Sequence, residues 1–200
     1  GKININLEEI EIDFLTISGH KIGAPTGIGA LVHNNKINLT PQILGGGQEK
    51  GMRAGTENIL GIRGFGEAAK LMVNSNEINC SQVKVLRDFF QKKIKNLRPE
   101  TIIFGEKANR VSNTLLIALP RIPGDLALIK LDLEAFSVSS GSACSSGKIS
   151  KSHVVSAMGF DELSQNSVRF SFPPNDAILN SENLITTKEL DMLAHCWSNL

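Results

Sequence analysis

The stretch Ser-Gly-His-Lys-Ile-Gly-Ala-Pro-Thr-Gly-Ile-Gly-Ala-Leu, residues 18–31, decides the fold prediction for this chain. It follows an apolar segment, residues 10–17, which predicts a mostly buried strand. Glycines and a proline then predict a turn, and residues 30–33 predict a second short strand.

Lys21 opens this turn and is the first candidate for chemistry. A lysine just beyond a buried strand can lie in a pocket where desolvation favours the neutral amine, the form that condenses with an aldehyde. Ser18 and His20 beside it can donate hydrogen bonds to a phosphate. By spacing alone, an ordinary surface lysine is the commoner explanation.

Residues 45–58, Gly-Gly-Gly-Gln-Glu-Lys-Gly-Met-Arg-Ala-Gly-Thr-Glu-Asn, form a second candidate segment. It predicts a loop that ends at the start of a helix over residues 57–73, where free backbone N–H groups bind phosphates. Thr56 adds a hydroxyl at that point. The alternative is a surface loop in which Thr56 is an ordinary N-cap.

Residues 139–148, Ser-Ser-Gly-Ser-Ala-Cys-Ser-Ser-Gly-Lys, place Cys144 among small polar residues. An exposed thiol on such a loop can enter a site and leave it again, provided that a nearby cation favours the thiolate. A cysteine without function in a loop is an equal alternative. Cys80 and Cys196 match no motif and are expected to be ordinary residues.

Arg169 stands between apolar neighbours in Val-Arg-Phe-Ser-Phe, residues 168–172, a predicted strand. Its planar guanidinium can bind a carboxylate through two parallel hydrogen bonds. A structural salt bridge is the alternative, slightly favoured by the sequence alone.

Together these four segments resemble the NifS/IscS-type cysteine desulfurases of the class V aminotransferase family, whose cofactor is pyridoxal 5'-phosphate (PLP). The resemblance implies that Lys21 binds PLP covalently and that Ser18 and His20 contact its phosphate. It also implies that Thr56 reaches the PLP phosphate of the opposite subunit of a homodimer, with Arg53 supporting the loop. Ala24 departs from the family, which usually has glycine there.

The same resemblance implies that Cys144 accepts sulfur as a persulfide and that Arg169 holds the carboxylate of L-cysteine. The products would be L-alanine and a protein-bound persulfide, passed to a sulfur-acceptor or scaffold protein for iron–sulfur cluster or thio-cofactor assembly. Residues 173–185 look like an insertion relative to the family. A selenocysteine lyase or a class V aminotransferase is a third option, although an aminotransferase needs no loop thiol.

The implied fold is α/β, the PLP-dependent transferase fold type I in truncated form. Residues 1–98 are expected to be the remainder of the large PLP-binding domain with its connecting helix, and residues 99–200 the small α+β C-terminal domain. The family's Asp-x-x-Gln pair and its stacking histidine have no counterpart in this sequence. The chain is therefore expected to be either an enzyme half that needs a separate N-terminal fragment or a non-catalytic remnant.

Composition limits the partners, the cellular compartment and the metal sites that can be expected for this chain. A net charge of +1 and 20% charged residues give no field that would attract nucleic acid or membranes. Three cysteines without a C-x-x-C pair indicate a reducing, cytoplasmic compartment. The histidines lack ligand spacing, so no metal site is expected. A helix over residues 82–97 carries a basic face, either solvated or facing an acidic partner; its cations are Lys84, Arg87, Lys92, Lys93 and Lys95.

Overall fold

The computed structural model describes residues 1–140, 151–173 and 186–200, without the side chains of residues 75–79. The described residues separate into two compact units. Unit 1 contains Gly1 and Ile3–Asn76, and unit 2 contains Lys2 and Glu77–Leu200. Both helices and strands are present, as the predicted α/β class requires. None of the helices in these described ranges has the length and apolarity needed to cross a bilayer.

Unit 1 is built on an antiparallel pair of strands, β1 (Phe14–Ser18) and β2 (Gly29–His33). In their register Phe14 lies opposite His33 and Ser18 lies opposite Gly29. Both strands were predicted from the sequence. The expected burial of residues 10–17 is wrong for the described structure, because β1 alternates between exposed and half-buried residues. Its apolar residues have only β2 as a strand neighbour in the described chain, so they stay accessible.

Among the described side chains of unit 1, no large one is fully buried. Its buried apolar residues are Ala24, Ala54 and Ala68. Many of its large apolar side chains are exposed instead, among them Leu44 and Leu60 at 81% and 86%. Close approach of backbone segments therefore replaces a conventional hydrophobic core in this unit.

Helix α1 (Ile59–Leu97) is continuous, whereas the sequence predicted two helices over residues 57–73 and 82–97. Glycine is absent between Glu67 and Leu97, and so is proline, and nothing else in that stretch ends a helix. The prediction that Thr56 is the N-cap of this helix is also wrong. Asn58 fills that role, since its side-chain oxygen accepts a hydrogen bond of 3.0 Å from the N–H of Gly61.

Unit 2 is an antiparallel four-stranded sheet with helices. The described strands are β3 (Ile102–Ile103), β4 (Thr114–Ala118), β5 (Ser139–Ser140) and β6 (Ser167–Ser171), in the spatial order β3-β4-β6-β5. The helices are α2 (Gly124–Leu133), α3 (His153–Ala157) and α4 (Thr187–Ser198). The sequence predicts strands over residues 111–119, 136–140 and 168–172 and helices over residues 122–131, 154–158 and 186–200, and each has a counterpart here, whereas β3 was not predicted.

The core of unit 2 is aromatic at its centre. Phe90 of α1 lies 5.2 Å from Phe170 of β6, and Phe170 lies 5.7 Å from Trp197 of α4 in an edge-on arrangement (distances between ring centroids). All three are almost completely buried. The Trp197 ring N–H donates a hydrogen bond of 3.1 Å to the buried hydroxyl of Thr101, which satisfies the one polar group of the indole.

Helix α4 begins with a reciprocal cap. Thr186 accepts a hydrogen bond from the N–H of Glu189, and the Glu189 carboxylate accepts one from the N–H of Thr186. The hydrogen bonds from the Thr186 backbone and hydroxyl lower the pKa of Glu189. A lowered pKa means that this carboxylate contributes stability above its unfolded pKa and loses it as the pH falls. The cap fixes the helix start after residues 173–185.

The basic face of α1 is largely occupied by contacts within the chain. Arg87 is 4% exposed and donates hydrogen bonds to the carbonyl of Val111 and to Asp88. Lys93 forms an ion pair of 3.0 Å with Asp191. Lys95 donates hydrogen bonds to two main-chain carbonyls beyond the helix end, those of Pro99 and Thr101. These three cations therefore stabilise unit 2, so the face is not simply a solvated one.

Replacing Thr101 by valine is expected to destabilise unit 2 by about 1–3 kcal/mol, because the buried indole N–H loses its acceptor. Trp197 is the single tryptophan of the chain, so urea unfolding followed by its fluorescence reports on this unit. Thr101→Ser is the matched control, since it keeps the hydroxyl. A valine variant as stable as the serine variant would contradict the assigned role of the hydrogen bond.

Replacing Ala135 by glycine is expected to stabilise unit 2 by about 1 kcal/mol. Ala135 follows α2 with φ 63°, and the Phe136 N–H donates back to Leu131 across it, a helix end that favours glycine. Ala157→Gly, in a right-handed turn of α3, is the control and should destabilise. Thermal unfolding of both variants measures the difference, and a drop in Tm for Ala135→Gly would refute the expectation.

Candidate functional site

The turn that carries Lys21 is closed by hydrogen bonds on both sides. β1 ends at Ser18, and a 3-10 turn over Gly19–Ile22 follows. The Gly19 N–H donates to the carbonyl of Ile28 at 2.9 Å, and the Ala24 N–H donates to the carbonyl of Gly19 at 3.1 Å. Gly23 takes a left-handed conformation with φ 86°, which glycine adopts without strain. The turn therefore holds the main chain of Lys21 in a defined position.

The side chains of this turn are available for a ligand. His20 and Lys21 are exposed, and among the described residues neither side chain forms a hydrogen bond or ion pair. Ser18 also makes no side-chain cap to the turn. A Cβ atom at Gly29, opposite Ser18, would lie 2.5 Å from the Ile17 carbonyl oxygen, so the strands approach closely here. Ammonium, imidazole and hydroxyl are thus presented from one rigid turn.

The loop before α1 leaves the hydroxyl of Thr56 free. Because Asn58 caps the helix, Thr56 is exposed, and no hydrogen bond to its side chain occurs within the described residues. Arg53 donates a hydrogen bond of 2.9 Å to the carbonyl of Ala54, a buried residue, and so braces the loop locally. Gly55 has φ 97°. The sequence analysis did not identify Asn58 as the N-cap, although asparagine is one of the residues preferred at that position.

The same loop contains two strained residues. Glu49 and Lys50 have φ 48° and 57°, left-handed values that cost non-glycine residues on the order of 1–3 kcal/mol each. No sequence signal marked them, since both residue types are ordinary in loops. Strain of this kind persists where the surrounding structure fixes the backbone.

Arg169 lies on β6 beside the start of the cysteine segment. Strand β5 pairs with β6, and Ser139 lies directly opposite Arg169. Cys144 itself lies outside the described residues, but it follows Ser140 by only four positions. Arg169 is half-buried, forms no ion pair among the described residues, and its Nε is buried without a hydrogen-bond partner there. The salt-bridge alternative therefore has no partner in the described chain.

The structure thus groups the candidate residues by unit. Ser18, His20, Lys21 and Thr56 belong to unit 1, and no hydrogen bond joins Thr56 to the other three in the described chain. Arg169 and the base of the cysteine segment belong to unit 2. Among the described residues, no cluster of histidine, cysteine or acidic side chains is arranged to hold a metal ion.

Cys196 of unit 2 is poorly suited to nucleophilic chemistry. Burial, with a smaller contribution from the charge of Glu134, raises the pKa of Cys196. A raised pKa lowers the fraction of thiolate, which is the nucleophilic form. Cys80 also belongs to unit 2 but matches no motif, so Cys144 stays the candidate for this chemistry.

Comparison with known proteins finds similarity to cysteine desulfurases and NifS-like proteins over nearly the whole chain. The cysteine desulfurase IscS of Dictyoglomus turgidum is 37% identical over 94% of this chain and 46% of its own length. The solved structure of a NifS-like protein from Rickettsia africae ESF-5 superposes with a TM-score of 0.82 at 35% identity, covering 99% of this chain and 50% of that one. The solved structure of SspA in complex with cysteine gives 0.60 at 28% identity, over 86% and 47%.

The chain spans about half the length of the curated relatives it matches. Its structural neighbours share the PLP fold type I architecture, which agrees with the predicted fold class. The aminotransferase class-V family matches residues 1–180, which include every candidate residue named above. That match covers most of the sequence, and the chain therefore belongs to the class V aminotransferase family.

Proposed function

We propose that the chain takes part in PLP-dependent removal of sulfur from L-cysteine, giving L-alanine and a persulfide on Cys144. The observation that carries this proposal is the pairing of Ser139 with Arg169. It puts the base of the cysteine segment beside the residue proposed to hold the substrate carboxylate. A carboxylate-binding arginine beside the strand that leads into the cysteine segment suits an amino acid with a reacting side chain.

The residues of unit 1 fit PLP. Lys21 offers an exposed amine for the aldehyde, on a turn fixed by hydrogen bonds on both sides. Ser18 and His20 offer donors for the phosphate from the same turn. Thr56 offers a hydroxyl that Asn58 has released from capping α1, and we assign it to the phosphate in the opposite subunit of a homodimer. When bound, the cofactor supplies an electron sink for the substrate carbon.

Arg169 is proposed to orient the substrate. Its unpaired Nε and the adjacent terminal nitrogen form the fork that binds a carboxylate through two parallel hydrogen bonds. With the carboxylate held there, the side chain of L-cysteine points away from the guanidinium. The Lys21 amine, once it is free, then moves the proton at the substrate Cα.

Cys144 is proposed to accept the sulfur. Its thiolate forms a sulfur–sulfur bond with the substrate thiol, and the bond between that sulfur and the substrate Cβ breaks. The electron pair of the broken bond stays with the carbon, which gains a proton to become the methyl group of alanine. One L-cysteine and one enzyme thiol thus give one alanine and one enzyme persulfide, without an external oxidant.

The partners follow from this chemistry. The persulfide needs a sulfur-acceptor or scaffold protein, for iron–sulfur cluster or thio-cofactor assembly, in a reducing compartment such as the cytoplasm. We also keep the proposed division into residues 1–98, belonging to a large PLP-binding domain, and residues 99–200, forming a small domain.

A second candidate function is that of a half-protein, active only with a separate N-terminal fragment or retained as a non-catalytic remnant. The burial in unit 1 favours this candidate, because the apolar residues buried in its described part are alanines, while many of its large apolar side chains are exposed. Covering such an apolar surface with another polypeptide lowers the free energy of the protein in water. The half-length match to the relatives agrees with this view.

Replacing Cys144 by serine is expected to abolish persulfide formation and alanine release while leaving PLP capture at Lys21 unchanged. Serine keeps the size of the side chain but lacks a nucleophilic sulfur. The chain is incubated with PLP, reduced with borohydride and mapped by peptide mass, and L-cysteine is then added to a parallel unreduced sample. Alanine is quantified, and the persulfide is trapped by alkylation.

Cys80→Ser is the matched control and should retain both activities. Persulfide-dependent sulfur transfer that survives in Cys144→Ser would refute the role of Cys144. Capture of PLP at Lys21 without alanine release in the unmodified chain would favour the half-protein. Failure of PLP to modify Lys21 above the other lysines would refute the assigned cofactor site in this chain.

Replacing Arg169 by lysine is expected to lower kcat/KM for L-cysteine by roughly tenfold to a hundredfold, mainly through KM. The ammonium keeps the charge but loses the two-point hydrogen bonding, each charged bond being worth about 1.5–3 kcal/mol. Steady-state kinetics of alanine release measures the loss. The exposed Arg121→Lys should change neither parameter. Equal kinetics for the two variants would rule out carboxylate binding by Arg169.

A further inference from the structure

We propose that Gly64 of α1 is a positioning residue for Lys21, because the missing side chain lets the helix rest directly on Pro25 in the lysine turn. This inference rests on the proposed function, in which Lys21 binds the cofactor. It concerns contacts within unit 1 alone.

The contact between Gly64 and Pro25 leaves no room for a side chain. A Cβ atom at Gly64 would lie 2.7 Å from Cδ and 2.8 Å from Cγ of Pro25. Both distances are shorter than carbon atoms tolerate, and a proline ring cannot turn aside as a flexible side chain does. Gly66 on the same helix is different, since a Cβ atom there would meet nothing within 4 Å.

Pro25 transmits this contact to the turn. It directly follows Ala24, whose N–H donates to the Gly19 carbonyl. The side chain of Ala24 lies 3.1 Å from where a Cβ of Gly19 would stand, so these two residues are also in close contact. Gly19 is in turn hydrogen-bonded to Ile28 on the far side. A shift of Pro25 therefore moves the closed loop that contains Lys21.

None of the large apolar side chains in the described part of unit 1 is fully buried. Its buried apolar residues are alanines, so the orientation of the turn on α1 depends on backbone approach. Gly61, Gly64 and Ala68 are spaced by three and four residues and share one face of α1. The proline ring has no alternative rotamer that would make room, so a methyl group added at Gly64 displaces the backbone of the turn.

Gly64→Ala and Gly66→Ala make the same chemical change on the same helix and are compared directly. Both remove a helix glycine, which on its own favours the helix by about 0.5–1 kcal/mol. Only the alanine at position 64 collides with Pro25. We expect Gly64→Ala to lower borohydride-trapped PLP at Lys21 by about tenfold at limiting PLP, and Gly66→Ala to leave it unchanged. The double variant Gly64→Ala with Pro25→Ala should restore trapping, with Pro25→Ala alone as its reference.

A second readout does not need the cofactor. Hydrogen exchange at the amides of Gly19 and Ala24 should be faster in Gly64→Ala, unchanged in Gly66→Ala and restored in the double variant. Trp197 fluorescence confirms that unit 2 is folded in every sample. If Lys21 of the wild-type chain does not trap PLP, the proposed cofactor site is refuted. The hydrogen-exchange data still test whether Gly64 positions the lysine turn. Equal exchange in the Gly64 and Gly66 variants, or a double variant without recovery, would overturn the inference.

Discussion

The alternation of side chains along β6 is the constraint on which unit 2 depends. Val168 and Phe170 point into the core, where Phe170 meets Phe90 and Trp197. Arg169 between them must then face the other side of the sheet. A slip of one residue in the pairing with β4 would bury the guanidinium and expose the phenyl ring. The aromatic core therefore fixes the register, and the register places Arg169 opposite Ser139.

Unit 1 follows a different principle, because its residues hold position through backbone contacts between glycines, alanines and a proline. Such contacts are geometrically strict but bury little apolar surface, so they contribute little to stability. The unit that carries Lys21 is thus specific in shape and poor in hydrophobic core. Unit 2 combines a buried aromatic centre with ion pairs and a capped helix. A turn set by close contacts suits a cofactor, whose aldehyde and phosphate must both be met by fixed groups.

The sequence predicted those elements whose signals are local and strong. Strand β6 alternates clearly, α4 has apolar residues on one side of an amphipathic helix, and β2 follows a glycine turn. The errors came where tertiary context decides. The glycines of α1 suggested a weak, short helix, yet Gly64 is there for a contact with Pro25 that no local pattern reveals. The candidate residues were found through motifs and resemblance, while the pairing of Ser139 with Arg169 required the register, which spacing alone cannot supply.

The anchoring of the cysteine segment on both sides limits where sulfur chemistry can take place. Ser140 ends β5 on one side, and on the other the Ser152 N–H donates to the Ser164 carbonyl while its hydroxyl caps α3. Cys144 follows Ser140 by four positions, so the chain length confines its Cα to within about 14 Å of that strand end. Since Ser139 faces Arg169, this radius contains the guanidinium and any amino acid whose carboxylate it holds. The length of chain between Ser140 and Cys144 is therefore compatible with the proposed transfer of sulfur from a bound cysteine to Cys144.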